Sequence, residues 1–231
     1  MLRWVPICFA AAWALPASAS PWARGDSELY SRLALSRHNV EGLSGTRIDA
    51  YSEYGLTEDW TVTGKYEGLY FDRFGEFNRD GWRVTARRGF HIAEGVVASL
   101  EGGMLQGEAI GGAAGCDAFG AEARIGVGQS SQLGGKTKMD IFWFAEGALR
   151  AHDDDCMRER LEIGFGQRVY QDVWLVSQAW FDQGDQNAAS SKYQLEYLWK
   201  AQGFDVSAGT MLEFGGEFDE SAFFISFAKT F

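Results

Sequence analysis

Proline, cysteine and histidine each occur only three times in 231 residues. So few prolines leave long backbone ladders uninterrupted, since each proline would remove a ladder N–H. Three histidines leave little for imidazole chemistry, and no zinc spacing, phosphate loop or nucleophile elbow accompanies them. Cations are also scarce, at 21 Lys and Arg against 32 Asp and Glu, for a net charge of -11. Phosphate binding needs basic surface, so nucleic acid is excluded as a partner. Beyond residue 20 no run of ~18 consecutive apolar residues occurs, which excludes transmembrane helices. What is present instead is 29 Gly, 15% aromatic residues and a mean hydropathy of -0.21. That mixture suits a sheet that is apolar on one face and polar on the other.

The amino terminus is a separate segment. A basic Met1-Leu-Arg start, an apolar stretch from Trp4 to Leu15 and the small-residue site Ala17-Ser-Ala19 read as a signal peptide over residues 1–19. Cys8 lies inside the apolar stretch and not at the cleavage site, so no lipid anchor is expected. One domain, residues 20–231, remains. It keeps Cys116 and Cys156, an even count that predicts a disulfide in an oxidising compartment, with two free thiols as the alternative.

From residue 27 onward, segments of about ten residues alternate in polarity between Gly-, Asp- and Asn-rich breaks. Trp60, Val62, Tyr66 and Tyr70 share one face of a strand, and Thr61, Thr63, Lys65 and Glu67 the other. The same pattern sets Trp82 and Val84 against Arg83 and Arg87, and Ile125 against Glu122 and Arg124. It recurs with Trp143 and Leu149 against Glu146 and Arg150, and with Ile163 and Phe165 against Glu162 and Arg168. With weaker segments at 27–36, 95–106 and 173–182, the strand count is about twelve.

The chain closes on Ser221-Ala-Phe-Phe-Ile-Ser-Phe-Ala-Lys-Thr-Phe231, where Phe223, Ile225, Phe227 and Phe231 share one face. A last strand ending on an aromatic residue resembles the closing strand of Gram-negative outer-membrane β-barrels. The resemblance implies an all-β fold, a transmembrane antiparallel barrel of about 12 strands in the outer membrane. It also implies that the strand ending at Phe231 is read by the barrel-insertion machinery. Roughly ten residues per strand spans a bilayer when tilted, and closure spares every edge hydrogen bond. A secreted β-sandwich is the competing architecture, but it has no reason to end on Phe231. Lys229, on the outward face, departs from the family pattern and is expected at the periplasmic rim, where its ammonium can reach the headgroups.

Connection lengths orient such a barrel. Short joins near 55–59, 92–94, 170–172 and 201–203, with a longer one at 129–136, read as periplasmic. Those near 37–44, 72–80, 107–117, 151–158, 183–191 and 215–220 read as extracellular. Trp60, Trp82, Trp174, Trp180 and Tyr193 are expected at the membrane interfaces, facing lipid and lipopolysaccharide. The lumen carries charge of both signs in near balance. Arg83, Arg87, Arg124, Glu122, Glu146 and Glu162 are the candidates to line a constriction.

The acidic excess falls in the outer loops. Asp153, Asp154 and Asp155 are hard-oxygen donors that suit Ca²⁺ or Mg²⁺, but their spacing matches no cation-loop motif, so a solvated surface is expected and no metal or cofactor. Ser36 and His38 share a strand face, as a membrane acyl hydrolase would require, but in reversed order relative to the known hydrolase motifs. A loop entry is the expectation there, and a non-enzyme overall. The function expected is a monomeric passive channel for small hydrophilic solutes. The alternative is a structural or surface-interaction barrel with a charge-filled lumen, assisting polysaccharide secretion or adhesion; an outer-membrane acyl hydrolase is the remotest reading.

Overall fold

A computed structural model describes residues 21–107, 115–134, 139–185, 188–215 and 218–231. Residues 1–19, where the signal peptide is expected, lie outside these. The described residues form twelve strands. In chain order they are β1 Leu29–Val40, β2 Leu43–Gly55, β3 Trp60–Phe71, β4 Arg79–Ala93, β5 Val96–Gly107 and β6 Gly120–Leu133. The second half comprises β7 Met139–His152, β8 Met157–Tyr170, β9 Val173–Gly184, β10 Ser190–Ala201, β11 Phe204–Phe214 and β12 Glu220–Thr230.

Each strand pairs antiparallel with its sequence neighbours, and β12 returns to β1, so the sheet closes into a barrel with no free edge. The start of β1 and the carboxy terminus lie together at one end, where Leu29 and Phe231 exchange backbone hydrogen bonds of 3.3 and 2.8 Å. Alternation turns Leu33, Leu35, Val84, Ile125, Leu149, Leu161 and Phe227 outward, and buries the charged set of opposite parity inside. Lys229 pairs across the ladder with Ser31 at the terminal end and stacks over Phe231, its Nζ 4.4 Å from the ring centre.

Four placements depart from the sequence reading. The outer connection expected at 37–44 is a two-residue turn, Glu41–Gly42, with φ of 47° and 89°. Positive φ at both central residues matches the twist of a tight hairpin, and glycine supplies one of them without strain. Residues 37–40 are therefore strand, and Ser36 and His38 face the lumen and not a loop entry. The join at 129–136 is shortened because β6 pairs with β7 as far as Leu133.

Trp174 and Trp180 do not face lipid. They are 3% and 9% exposed and point into the barrel, stacked under Lys200 and Lys192. Both faces of β9 are rich in apolar residues, so its alternation is ambiguous. Asp182, of the same parity as the two tryptophans, decides the register by meeting Arg158 and Arg160 inside. Trp60 and Tyr193 do face outward, and Trp82 lies half-buried on the outer wall against Phe119. Finally, Glu220, which falls in the outer connection expected near 215–220, is the first residue of β12 and is buried in the lumen.

Candidate functional site

The lumen is built in layers. Its middle is an ion-pair mesh carried by inward positions of β4 to β8, with Glu53 of β2. Arg124 hydrogen-bonds Glu146 at 2.6 Å and Glu162 at 3.2 Å, and reaches Glu122 at 3.4 Å. Glu122 also receives Arg83 at 2.9 Å and Arg150 at 2.5 Å. Arg87 spans Glu101 at 2.8 Å and Glu53 at 3.1 Å. All six constriction candidates are here, none more than 4% exposed; five of them form one hydrogen-bonded network around Arg124 and Glu122, and Arg87 belongs to a neighbouring set with Glu101 and Glu53. An unpaired charge in such a setting costs several kcal/mol, which is the physical reason for the pairing.

Toward the terminal end the lining turns apolar. Phe142 and Phe144 of β7 pack with Trp174 and Val176 of β9 and Leu198 of β10. Gly164 and Gly166 of β8 make room for the two rings, since a Cβ there would lie 2.2 Å from Phe144 and 2.1 Å from Phe142. Tyr30, Tyr51 and Ala228 form a second small cluster on the opposite wall. Between the walls, a cavity of about 10 Å³ bounded by Arg32, Phe142, Gln178, Glu196 and Leu198 has room for a single water.

Residues 21–24, which precede the first strand, fold into this end as a strap. Trp22 meets Phe142 edge-on at 6.3 Å between ring centres, and its carbonyl accepts a hydrogen bond from Arg87 Nη1 at 3.2 Å. The Arg24 guanidinium forms a short ion pair with Glu53, and its backbone N–H donates to Thr61 Oγ1 at 2.8 Å. Burial acts to lower the pKa of Arg24, and Glu53 outweighs it, so the guanidinium is held above its ordinary range. Gly128 leaves space for the strap, because a Cβ there would fall 2.6 Å from the Trp22 ring. The strap was invisible to strand periodicity, which carries no signal for an irregular segment.

At the loop end, Cys116 and Cys156 are bonded, their Cα atoms 5.4 Å apart, and pack on Ala188. The bond ties the β5–β6 connection to the β7–β8 turn. His152 hydrogen-bonds the Ala118 carbonyl at 2.8 Å, across the same pair of connections. Asp153, Asp154 and Asp155 are exposed, and Asp154 accepts from the Cys156 N–H at 3.3 Å. Among the described residues no group of three or more His, Cys, Asp or Glu side chains is arranged to hold a metal. Asp182, Arg158, Trp22 and Arg24 are among the lumen residues that sequence reasoning missed. The matching parity of Gln178 and Asp182 on β9 was the available signal for Asp182.

A closed barrel, apolar outside and charged within, spans membranes because it leaves no backbone group unpaired toward lipid. The fold is that of an outer-membrane β-barrel. No family model matches the sequence, and no curated relative does. Among solved structures, the chain is similar to the KdgM porin, with a TM-score of 0.56 at 5% identity over 87% of this chain and 99% of that one. A second structure is titled as that porin in complex with disordered oligogalacturonate, with a TM-score of 0.53, 6% identity and coverage of 87% and 99%. An outer-membrane channel from Pseudomonas putida F1 gives 0.59 at 8% identity, over 94% of this chain and 100% of that one. At these identities the likeness concerns the architecture.

Proposed function

We propose that this chain is an outer-membrane channel of a Gram-negative bacterium that admits small hydrophilic solutes. The observation that carries the reading is the closed twelve-strand wall with paired charges of both signs on its inner face and apolar side chains outside. Cations and anions interleave around Arg124, so the interior offers hydrogen-bonding partners to a polar solute without strong preference for one sign of charge. The bound oligogalacturonate belongs to the KdgM porin alone. A balanced interior suits neutral or zwitterionic solutes better than a polyanion.

Passage is throttled at the terminal end by the strap, which Arg24 and Trp22 hold in place. The protein acts as a monomer, surrounded by outer-membrane lipid and lipopolysaccharide, and its strand ending at Phe231 is the segment handed to the insertion machinery. Residues 1–19 serve as the export signal.

Planar-bilayer recording of the refolded protein tests this. Trp22→Ala combined with Arg24→Ala frees the strap and raises single-channel conductance above that of the wild type. An inserted barrel that passes no current in either form defeats the channel reading and leaves the alternative, a structural barrel whose mesh fills the lumen.

A further inference from the structure

Near the loop end, on the wall opposite the disulfide-tied connections, three side chains of the lumen face form a relay. Ser36 Oγ lies 2.6 Å from His38 Nε2, and His38 Nδ1 makes a short hydrogen bond to Glu220 Oε1. Arg47 Nη2 holds the same carboxylate at 3.1 and 3.3 Å. His38 is 2% exposed and Glu220 8%, while Ser36 keeps partial access to the lumen. Residues two apart on a strand point the same way, which puts Ser36 beside His38; the β1–β12 pairing of Val40 with Glu220 brings in the carboxylate. We propose that Ser36, His38 and Glu220 are a nucleophile, base and orienting acid that hydrolyse small O-acyl esters of polar, hydroxylated compounds entering the loop-end mouth.

The order of contacts is what acyl transfer requires. A carboxylate accepting from Nδ1–H leaves the Nε2 lone pair free to take the serine proton. Ser36 Oγ attacks the ester carbonyl carbon as its proton passes to His38 Nε2. The tetrahedral adduct then expels the alcohol oxygen, which recovers that proton and leaves as the free alcohol. Water next attacks the acyl-Ser36 carbonyl, again giving a proton to Nε2. Collapse releases the carboxylic acid and returns the proton to Ser36.

A second observation points to a ligand. Arg47 sits directly across the ladder from Ser36, and its buried Nε–H has no partner among the described residues. In the proposed reaction that donor, on the strand directly across from the nucleophile, is the one that meets the developing oxyanion. Glu213 is buried across the ladder from Glu220 and from Lys192, with Ser190 as its hydrogen-bonding neighbour. One unpartnered donor across the ladder from an activated serine matches the carbonyl group of an acylated polyol. This site needs only the mouth to be accessible, so it stands whether or not the barrel conducts.

The test is an ester hydrolysis and labelling experiment on the refolded chain in detergent, with folding verified by its heat-modifiable gel shift. A fluorophosphonate probe should form an adduct mapped by mass spectrometry to Ser36. Hydrolysis of 4-nitrophenyl acetate should fall by roughly 10³-fold or to the buffer rate in Ser36→Ala. Glu220→Gln, which acts through His38, should lower kcat with KM retained. Ser31→Ala, outside the lumen, is the control and should hydrolyse at the wild-type rate. A folded barrel without an adduct at Ser36, or equal rates in wild type and Ser36→Ala, overturns the proposal.

Discussion

Arg124 is the place to measure whether the lumen is a dry mesh or a hydrated passage. Its guanidinium is hydrogen-bonded to both Glu146 and Glu162, which face each other across the β7–β8 ladder. Replacing it with methionine keeps most of the volume and leaves two opposed carboxylates without that cation. All three groups are no more than 3% exposed, so solvent offers little compensation. Breaking a buried pair in this way costs about 3–5 kcal/mol, whereas an exposed pair is worth about 0–1 kcal/mol. Reversible urea unfolding in lipid vesicles, followed by tryptophan fluorescence, reads the difference. Adding Glu146→Gln and Glu162→Gln to Arg124→Met removes the stranded charges and should restore at least about 2 kcal/mol of that loss. A single-variant loss below about 1 kcal/mol, with no coupling to the glutamates, would refute the dry mesh and show that water screens the ions.

The wall, the disulfide and the outer face of the barrel each carry a measurable consequence. Gly166→Val drives a Cβ into the Phe142 ring, 2.1 Å away, and should lower stability by about 1–3 kcal/mol in the same assay; an unchanged midpoint would mean that the ring has room to leave. Cys156→Ser opens a bridge between positions 40 apart in sequence and should cost about 3–4 kcal/mol, matched by wild type under reductant. In single-tryptophan variants, brominated acyl chains should quench Trp143 and Trp199, which face outward, but not Trp180; quenching of Trp180 would reverse the register of β9. The hydrogen bonds from Arg37 hold the Asp72 carboxyl below its ordinary range, so this tie contributes above the unfolded pKa and is lost as pH falls through the folded one. Carboxyl NMR should show the Asp72 midpoint rise in Arg37→Gln; no movement would dismiss the pairing.

Most of the wall was legible in the amino-acid order. Period-two alternation with charged residues on one face specifies a strand without reference to any neighbour, and it placed Arg83, Arg87, Glu122, Arg124, Glu146 and Glu162 on the inner side. Twelve such segments ending on Phe231 sufficed for the closed barrel. Where both faces of a strand are apolar, as in β9, alternation has no preferred phase, and only the meeting of Asp182 with Arg158 and Arg160 chose one. The turn at Glu41–Gly42 was hidden for a related reason, since the polar run Ser36 to Asn39 reads as loop until its lumen partners are known.

Local pattern determines which residues face inward, because side-chain direction depends only on the strand itself. Which inward residues meet depends on register and on strands far apart in sequence. The pairing of Arg124 with Glu162, the strap on Phe142, and the approach of Glu220 to His38 across 182 positions were therefore decided by closure of the barrel.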